Sequence, residues 1–165
     1  MRSIVLFFFM AASISLSAQQ TDQAVGLRGG FSSGITYQHF HSSSEDVKLL
    51  LSFREGGAQL TGLFEIYKPV MIGYYDQFFL YYGLGVHAGF TRYENRWWSR
   101  DNRWERGYAS TRPVIGGDAI VGIEYRIEQI PLTVGFDYKP FFEFFGQDFF
   151  RLSLGDFAFA IKYNF

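Results

Sequence analysis

Five polar residues could support acid–base chemistry. His87, Asp118 and Glu124 can exchange protons, and Ser32 and Ser33 carry hydroxyl groups. A hydrolase needs a nucleophile, a base and a group that orients the base. Neither serine lies in a G-x-S-x-G elbow, and a single histidine among charged residues is more typical of a hydrogen-bonded structural role. The sequence therefore predicts a protein that is not an enzyme, with a hydrolase or acyltransferase that uses His87 as the alternative.

Metal chemistry has weak support. His39 and His41 are two residues apart and could share one face of a strand. Two histidines without a third ligand are a weak metal signal, since protein zinc sites use at least three ligands. The chain has no cysteine, which excludes thiolate ligands and disulfide bonds. We predict no metal and no other cofactor.

The segment 92–112, called the basic segment below, has the most unusual composition. It contains all three tryptophans, six arginines and three acidic residues, so its net charge is +3. A guanidinium group binds phosphate through a planar fork and also stacks on indole. A phosphate clamp, a surface for a glycan, peptide or protein, and a plain hairpin with solvated charges all remain open. The candidate contact residues are Arg96, Trp97, Trp98, Arg100, Arg103, Trp104 and Arg106.

The elements that must position these residues alternate in polarity with a period of two, which is the side-chain period of a β-strand. The last nine residues are the clearest case, with five apolar residues on one face and small or polar ones on the other. The apolar face carries Phe157, Phe159, Ile161, Tyr163 and Phe165. Six further segments alternate in the same way: 25–39, 47–53, 58–67, 78–90, 115–125 and 132–138.

The faces of these segments distinguish two kinds of barrel. In a lipocalin-like barrel or a β-sandwich the apolar face is the core, and the other face meets water. Here the minor face is rich in glycine and carries isolated charges, which suits a narrow lumen enclosed by a lipid-facing wall. The sequence predicts an all-β fold, namely a closed antiparallel up-and-down transmembrane β-barrel of about eight strands.

The number of alternating segments does not match the number of strands expected for a closed barrel. Seven segments are visible, whereas a single-chain bacterial barrel has an even number of strands. Segment 25–39 could be a hairpin that turns near 31–34, or an extra strand could lie within 92–112 or 141–150. If 127–130 is a short inner turn and 92–112 and 141–153 are outer loops, the direction of each strand follows, and counting back along the chain favours the hairpin within 25–39.

Two breaks in the pattern predict further connections. Gly56 and Gly57 favour a tight turn, because glycine supplies a positive φ. Lys68 and Pro69 should end the third segment, because proline cannot donate to a central ladder.

The N-terminus resembles a secretory signal peptide. Arg2 precedes an apolar run at 4–12, which is far shorter than the ~20 residues of a spanning helix, and small residues follow at 15–18. We predict cleavage after residue 18 and one mature barrel domain over 19–165. Removal of Arg2 takes the net charge from −1 to −2, which excludes the strongly basic footprint of a nucleic-acid binder.

The minor faces collect a set of charged residues that we call the lumen charges. In a narrow lumen they must pair, because an unpaired buried charge is very costly. A paired plug is therefore predicted, with a narrow passive pore or proton path as the alternative. The lumen charges are Arg28, Glu65, His87, Asp118, Glu124, Arg126, Asp137, Lys139 and Lys162, and Arg54 lies on the same face.

The signal peptide, the alternating glycine and aromatic residues and the terminal Phe165 resemble small outer-membrane β-barrel proteins of the OmpX and OmpA-transmembrane-domain kind. The resemblance implies an integral protein of the Gram-negative outer membrane, whose last strand, ending in Phe165, is recognised by the barrel-assembly machinery. It implies no residue-level site.

We therefore predict a monomer in contact with outer-membrane lipid and lipopolysaccharide, with no nucleic-acid partner. Its function would be structural, in envelope integrity, or interactive, with the basic segment 92–112 as the interaction element. A membrane-embedded lipid-modifying hydrolase or acyltransferase, or a narrow passive pore, are the alternatives.

Overall fold

The computed structural model describes residues 22–54, 56–72, 75–98, 104–145 and 149–165. Of residues 72, 75, 76, 93–98 and 104–110 it describes only the backbone. The predicted signal peptide lies outside the described residues, so its cleavage stays a prediction. In the described part of the chain, no helix is long and apolar enough to cross a membrane.

Ten β-strands make up the described structure, and all of their pairings are antiparallel. The strands are β1 Gln23–Gly30, β2 Ser33–Ser42, β3 Glu45–Arg54, β4 Gly57–Ile72, β5 Tyr75–Trp98, β6 Trp104–Ile127, β7 Leu132–Tyr138, β8 Phe141–Phe144, β9 Phe150–Ser153 and β10 Phe157–Asn164.

The strands close into an eight-stranded barrel. Each strand from β1 to β6 pairs with the next, β7 pairs with β10, and β10 pairs with β1 to close the wall. The short strands β8 and β9 extend β7 and β10, since β8 pairs with β6 and β9 pairs with β8. The prediction of a closed eight-stranded antiparallel barrel is therefore confirmed.

The stagger of the wall follows from the pairings. A path from Ile115 on β6 through the paired residues of each strand returns to β6 at Tyr125, ten residues further along. This ten-residue offset is the shear of the barrel, and it tilts the strands relative to the barrel axis. A closed barrel of eight strands has an interior just wide enough for side chains. The residues on this path face outward and are apolar: Ile115, Ala88, Leu60, Leu51, Ile35, Leu27, Ile161, Val134 and Tyr125.

The predicted faces agree with the structure. Along β10 the burial alternates, with Ala158, Ala160 and Lys162 buried and Phe159 and Ile161 exposed on the outer wall. The same alternation runs through β1, β2 and β3. The barrel therefore turns its apolar residues outward and its polar residues inward, which is the reverse of a water-soluble core.

The two ends of the barrel differ. The chain termini and the connections at 43–44 and 128–131 lie at one end, called the terminal end. The other end, called the loop end, holds the turn at 31–32, the turn at Gly56 and the β5–β6 hairpin.

Two turn predictions are confirmed. Segment 25–39 is a hairpin, because β1 and β2 pair from Gln23 with His39 to Arg28 with Gly34. Gly56, with a φ of 72°, lies in the turn between β3 and β4.

The basic segment 92–112 lies in the outer part of the β5–β6 hairpin, so the backbone agrees with the hairpin alternative and not with an outer loop. Two other predictions are wrong. The segment 141–153 is not a loop throughout, because it contains β8 and β9. Strand β4 also continues through Pro69, which lies opposite Phe79 of β5. Proline is tolerated there because the backbone N–H of Tyr67 donates to the carbonyl of Ser44, the residue before β3. The nitrogen of Pro69, two residues further on, therefore lies beyond β3 and faces no strand.

The outward face leads to a depth-dependent prediction. Leu84 is 71% exposed in the middle of β5, whereas Met71 is 80% exposed at the terminal-end rim. If lipid surrounds the wall, Leu84→Arg should destabilise the barrel by ~2–4 kcal/mol and Met71→Arg by ~0–1 kcal/mol. Urea unfolding of both variants in lipid vesicles measures the difference, and equal stabilities would show that the outer face is wrongly assigned.

Candidate functional site

The loop-end half of the lumen holds a chain of paired charges. Lys139 Nζ lies 2.8 Å from Asp118 Oδ1 and 3.5 Å from Asp156 Oδ2. Asp156 in turn lies 3.2 Å from Nη1 of Arg28, and Arg28 Nη2 donates to Asp137 Oδ1 at 2.6 Å. All of these side chains are buried, so the network links β1, β6, β7 and the residue before β10 through ion pairs shielded from water.

Nearer the terminal end a second group of charges is paired. Lys48 Nζ donates to Glu65 Oε1 at 2.6 Å, and the hydroxyl of Tyr67 donates to Glu65 Oε2 at 3.1 Å. Across the lumen, Glu124 accepts hydrogen bonds from Lys162 and, at 3.0 Å, from Nε of Arg126. The carboxylates Glu65 and Glu124 thus each meet a lysine from another strand.

Arg126 closes this end of the lumen with aromatic contacts. Its guanidinium lies 4.0 Å from the ring centroid of Phe79 and 5.5 Å from those of Phe40 and Tyr67. Its side chain is 34% exposed, so it forms the floor of an open vestibule of about 300 Å³ that also includes His41 and Asn164. Such contacts combine charge with apolar packing.

A cluster of apolar and aromatic side chains packs against both groups of charges. Leu63, Tyr67, Tyr81 and Ile120 form one buried cluster, and the rings of Tyr67 and Tyr81 stack with centroids 5.2 Å apart. The cavity left beside Tyr81, between the two groups, has a volume of about 10 Å³, which is room for roughly one water molecule. The described lumen is therefore filled at mid-height.

The nine lumen charges all face the interior, as the alternation of each strand places them. Eight of them are fully buried, and Arg126 lies at the vestibule. Arg54, on the same face, donates to Glu143 Oε2 at 3.1 Å near the loop end.

Sequence reasoning missed several members of these networks. Lys48 and Asp46 share the inward face of β3 with Arg54, so their position in the alternation was a usable signal. Glu143 lies in the stretch 141–153 that the sequence assigns to a loop, and Asp156 directly precedes the predicted last strand, two residues before the inward Ala158. Tyr67 and Tyr81 lie on the inward face by the alternation, but they are uncharged, so the set of lumen charges did not include them.

The residues considered for hydrolysis do not form a triad: His87 and Asp118 meet, but neither serine joins them. His87 is 2% exposed, and its Nδ1 lies 2.6 Å from Asp118 Oδ2. Ser32 donates to Asp156 Oδ2 at 2.6 Å instead, and Ser33 is exposed in the hairpin turn. A Cβ added to Gly116 would lie 2.6 Å from His87 Cε1, so the imidazole packs directly on the wall. This geometry suits a structural His–Asp pair.

The metal candidates share the exposed face of β2. His39 and His41 are both exposed near the end of β2. Among the described residues, no group of three or more histidines, aspartates or glutamates is placed to hold a metal ion.

The basic segment forms a paired hairpin rather than a loop. Its backbone register places Arg96 opposite Arg106 and Trp98 opposite Trp104. The structure describes only the backbone of Trp97 and of these four residues, and Arg100 and Arg103 lie outside the described residues. The residue-level contacts of the basic segment stay predictions.

The fold has a solved counterpart. The chain is similar in structure to the N-terminal β-barrel domain of Pseudomonas aeruginosa OprF, with a TM-score of 0.50 and 12% sequence identity. The match covers 87% of this chain and 95% of that domain. At this identity the likeness shows the fold, a closed eight-stranded antiparallel barrel. No protein-family model matches the chain, and no curated protein sequence matches it.

The buried pair Lys48–Glu65 gives a test of the plug. Glu65→Gln removes the carboxylate that Lys48 contacts, and leaving a buried charge unpaired typically costs about 3–5 kcal/mol. The double variant Lys48→Met, Glu65→Leu removes both charges and should recover most of the lost stability. Urea unfolding in vesicles measures both variants. A double variant as unstable as the single one would mean that the pair does not act through its charges.

Proposed function

We propose that this chain is an integral β-barrel of the Gram-negative outer membrane that acts through its surface rather than through its lumen. The observation that carries the proposal is the filled interior, with its paired charges and a mid-lumen cavity of only about 10 Å³. Export by the signal peptide, delivery of the last strand to the barrel-assembly machinery and the monomeric state belong to the same proposal.

The outer wall supports a membrane location. Large apolar side chains are exposed all round the barrel, including Leu27, Leu84, Val86 and Phe159, each at least 65% exposed. Soluble monomers rarely expose apolar patches of more than a few hundred Å². A band of this kind is what a lipid-facing wall requires.

The β5–β6 hairpin is the element best placed to interact. From Thr91 outward β5 pairs only with β6 in the described sheet, and the pairing continues to Trp98 and Trp104. Eight residues at ~3.3 Å each project roughly 25 Å beyond the neighbouring strands. By comparison, the loop-end connection between β1 and β2 is a turn of only two residues, 31–32.

The charge of the hairpin favours a phosphate-bearing partner. The segment 92–112 has a net charge of +3, whereas the whole chain has a net charge of −1. Arginine forks bind phosphate well, and lipopolysaccharide presents phosphates at the surface of the outer leaflet. We therefore propose that the hairpin binds the phosphates of lipopolysaccharide and so contributes to envelope integrity.

Binding of lipopolysaccharide tests this proposal. Arg96, Arg100, Arg103 and Arg106 changed together to Gln should weaken binding about tenfold or more, because each fork to phosphate is lost. The control variant Glu94→Gln, Glu105→Gln removes two negative charges and should bind at least as well as the parent. Binding is measured by surface plasmon resonance on the barrel in nanodiscs at two salt concentrations. If the arginine variant binds as tightly as the parent, lipopolysaccharide is not the partner of the hairpin.

Conductance tests the filled lumen independently. Planar bilayers that contain the purified barrel should show no unitary steps above those of lipid alone, because eight strands leave room only for side chains. Stable single-channel steps that scale with the amount of protein would contradict the proposal and favour the passive pore.

A further inference from the structure

The outer wall has an apolar depression on the loop-end half of the barrel. It has a volume of about 620 Å³ and spans strands β3 to β6 and β8. Its floor is low because Gly62, Ala88 and Gly117 carry little or no side chain around Val86. Leu60 stands on one side and Phe142 on the other, so the depression is bounded by large apolar side chains.

A positive charge lies above this wall depression. Arg92 follows Ala88 by four residues on β5, so it is on the same face and roughly 13 Å closer to the loop end. Arg92 is exposed, and it begins the basic segment, whose net charge is +3. An apolar depression below a cationic rim matches an amphiphile with an acyl chain and an anionic headgroup.

We propose that the wall depression is a specific lipid site, which holds an acyl chain of lipid A while Arg92 contacts a lipid A phosphate. The inference rests on the proposed function, because binding of lipopolysaccharide by the hairpin puts the loop end in the outer leaflet, where the lipid that carries both acyl chains and phosphates is lipid A. It goes beyond that function by naming the part of the wall that selects the lipid.

The glycines of the wall offer a matched pair of variants. A Cβ added to Gly62 would meet only Leu49 Cδ2, at 3.9 Å, so Gly62→Leu fills the depression without a clash. Gly29 also faces outward, on β1, and a Cβ there meets nothing within 4 Å. Gly29→Leu therefore adds the same side chain to the same kind of surface on another part of the wall.

Native mass spectrometry of the barrel released from detergent micelles measures the lipid that stays bound. The probes are purified lipid A and, as competitor, phosphatidylglycerol. Gly62→Leu should bind lipid A about tenfold more weakly than the parent because acyl contacts are lost, and Gly29→Leu should bind it like the parent. Arg92→Gln should also weaken lipid A binding but leave binding of dephosphorylated lipid A unchanged.

Each variant is first checked for heat-dependent mobility on a semi-native gel, which shows that the barrel has closed. If Gly62→Leu fails to assemble, Ala88→Leu fills the same depression and replaces it in the comparison.

Two results would overturn the inference. Equal lipid A binding by Gly62→Leu and Gly29→Leu would show that the depression holds no specific lipid. Competition by phosphatidylglycerol as effective as that by lipid A would show that any lipid of the membrane fills it.

The test separates this inference from the proposed function. If the arginine variant of the hairpin loses lipopolysaccharide while Gly62→Leu keeps lipid A, the wall site is wrong and the hairpin proposal stands. If neither variant loses binding, both proposals fail.

Discussion

The width of the lumen is the constraint on which the rest of the structure depends. Eight strands with this shear enclose a space that side chains fill, so every inward residue must fit its neighbours or be small. A charge placed there is removed from bulk water and is stable only with a partner. The ion pairs of Arg28 with Asp137, of Lys48 with Glu65 and of Lys139 with Asp118 satisfy this requirement.

The narrow lumen also determines which surfaces of the barrel are accessible. At mid-height the described lumen is filled by side chains, among them the stacked rings of Tyr67 and Tyr81. The accessible surface lies outside this filled part. It offers three environments: the vestibule at Arg126, the apolar wall, and the hairpin that carries the basic segment.

The fold was largely predictable from the sequence because a membrane barrel repeats one simple rule along each strand. The alternation of Phe157 to Phe165 and its repetition in six other segments predicted the faces of the wall, and the even-number rule predicted the hairpin at 31–32. The rule fails where a strand leaves the common wall. Strands β8 and β9 are four residues each, and β8 carries phenylalanine on both faces, so the pattern is too short or too uniform to distinguish them from a loop.

The interior site was predictable only in part. The alternation along each strand assigned residues such as His87 and Glu124 to the lumen, but it does not say which residues meet across the lumen. Asp156 pairs with Arg28, which is 128 residues away in the sequence, and that contact exists only because the barrel closes. Pairing across a lumen depends on shear and strand order, and neither is contained in a local pattern.

The seam between β1 and β10 has a consequence for the time course of folding. Most other strand pairs join neighbours in sequence through short connections, whereas the seam brings Leu27 to Ile161 across almost the whole chain. Closing so long a loop costs more conformational entropy than closing a hairpin, and non-local pairing slows folding. Until β10 arrives, both β1 and β7 are open edges whose unpaired backbone groups can bind another strand. The eight residues of the final strand thus determine how long the nascent barrel is exposed to misassembly.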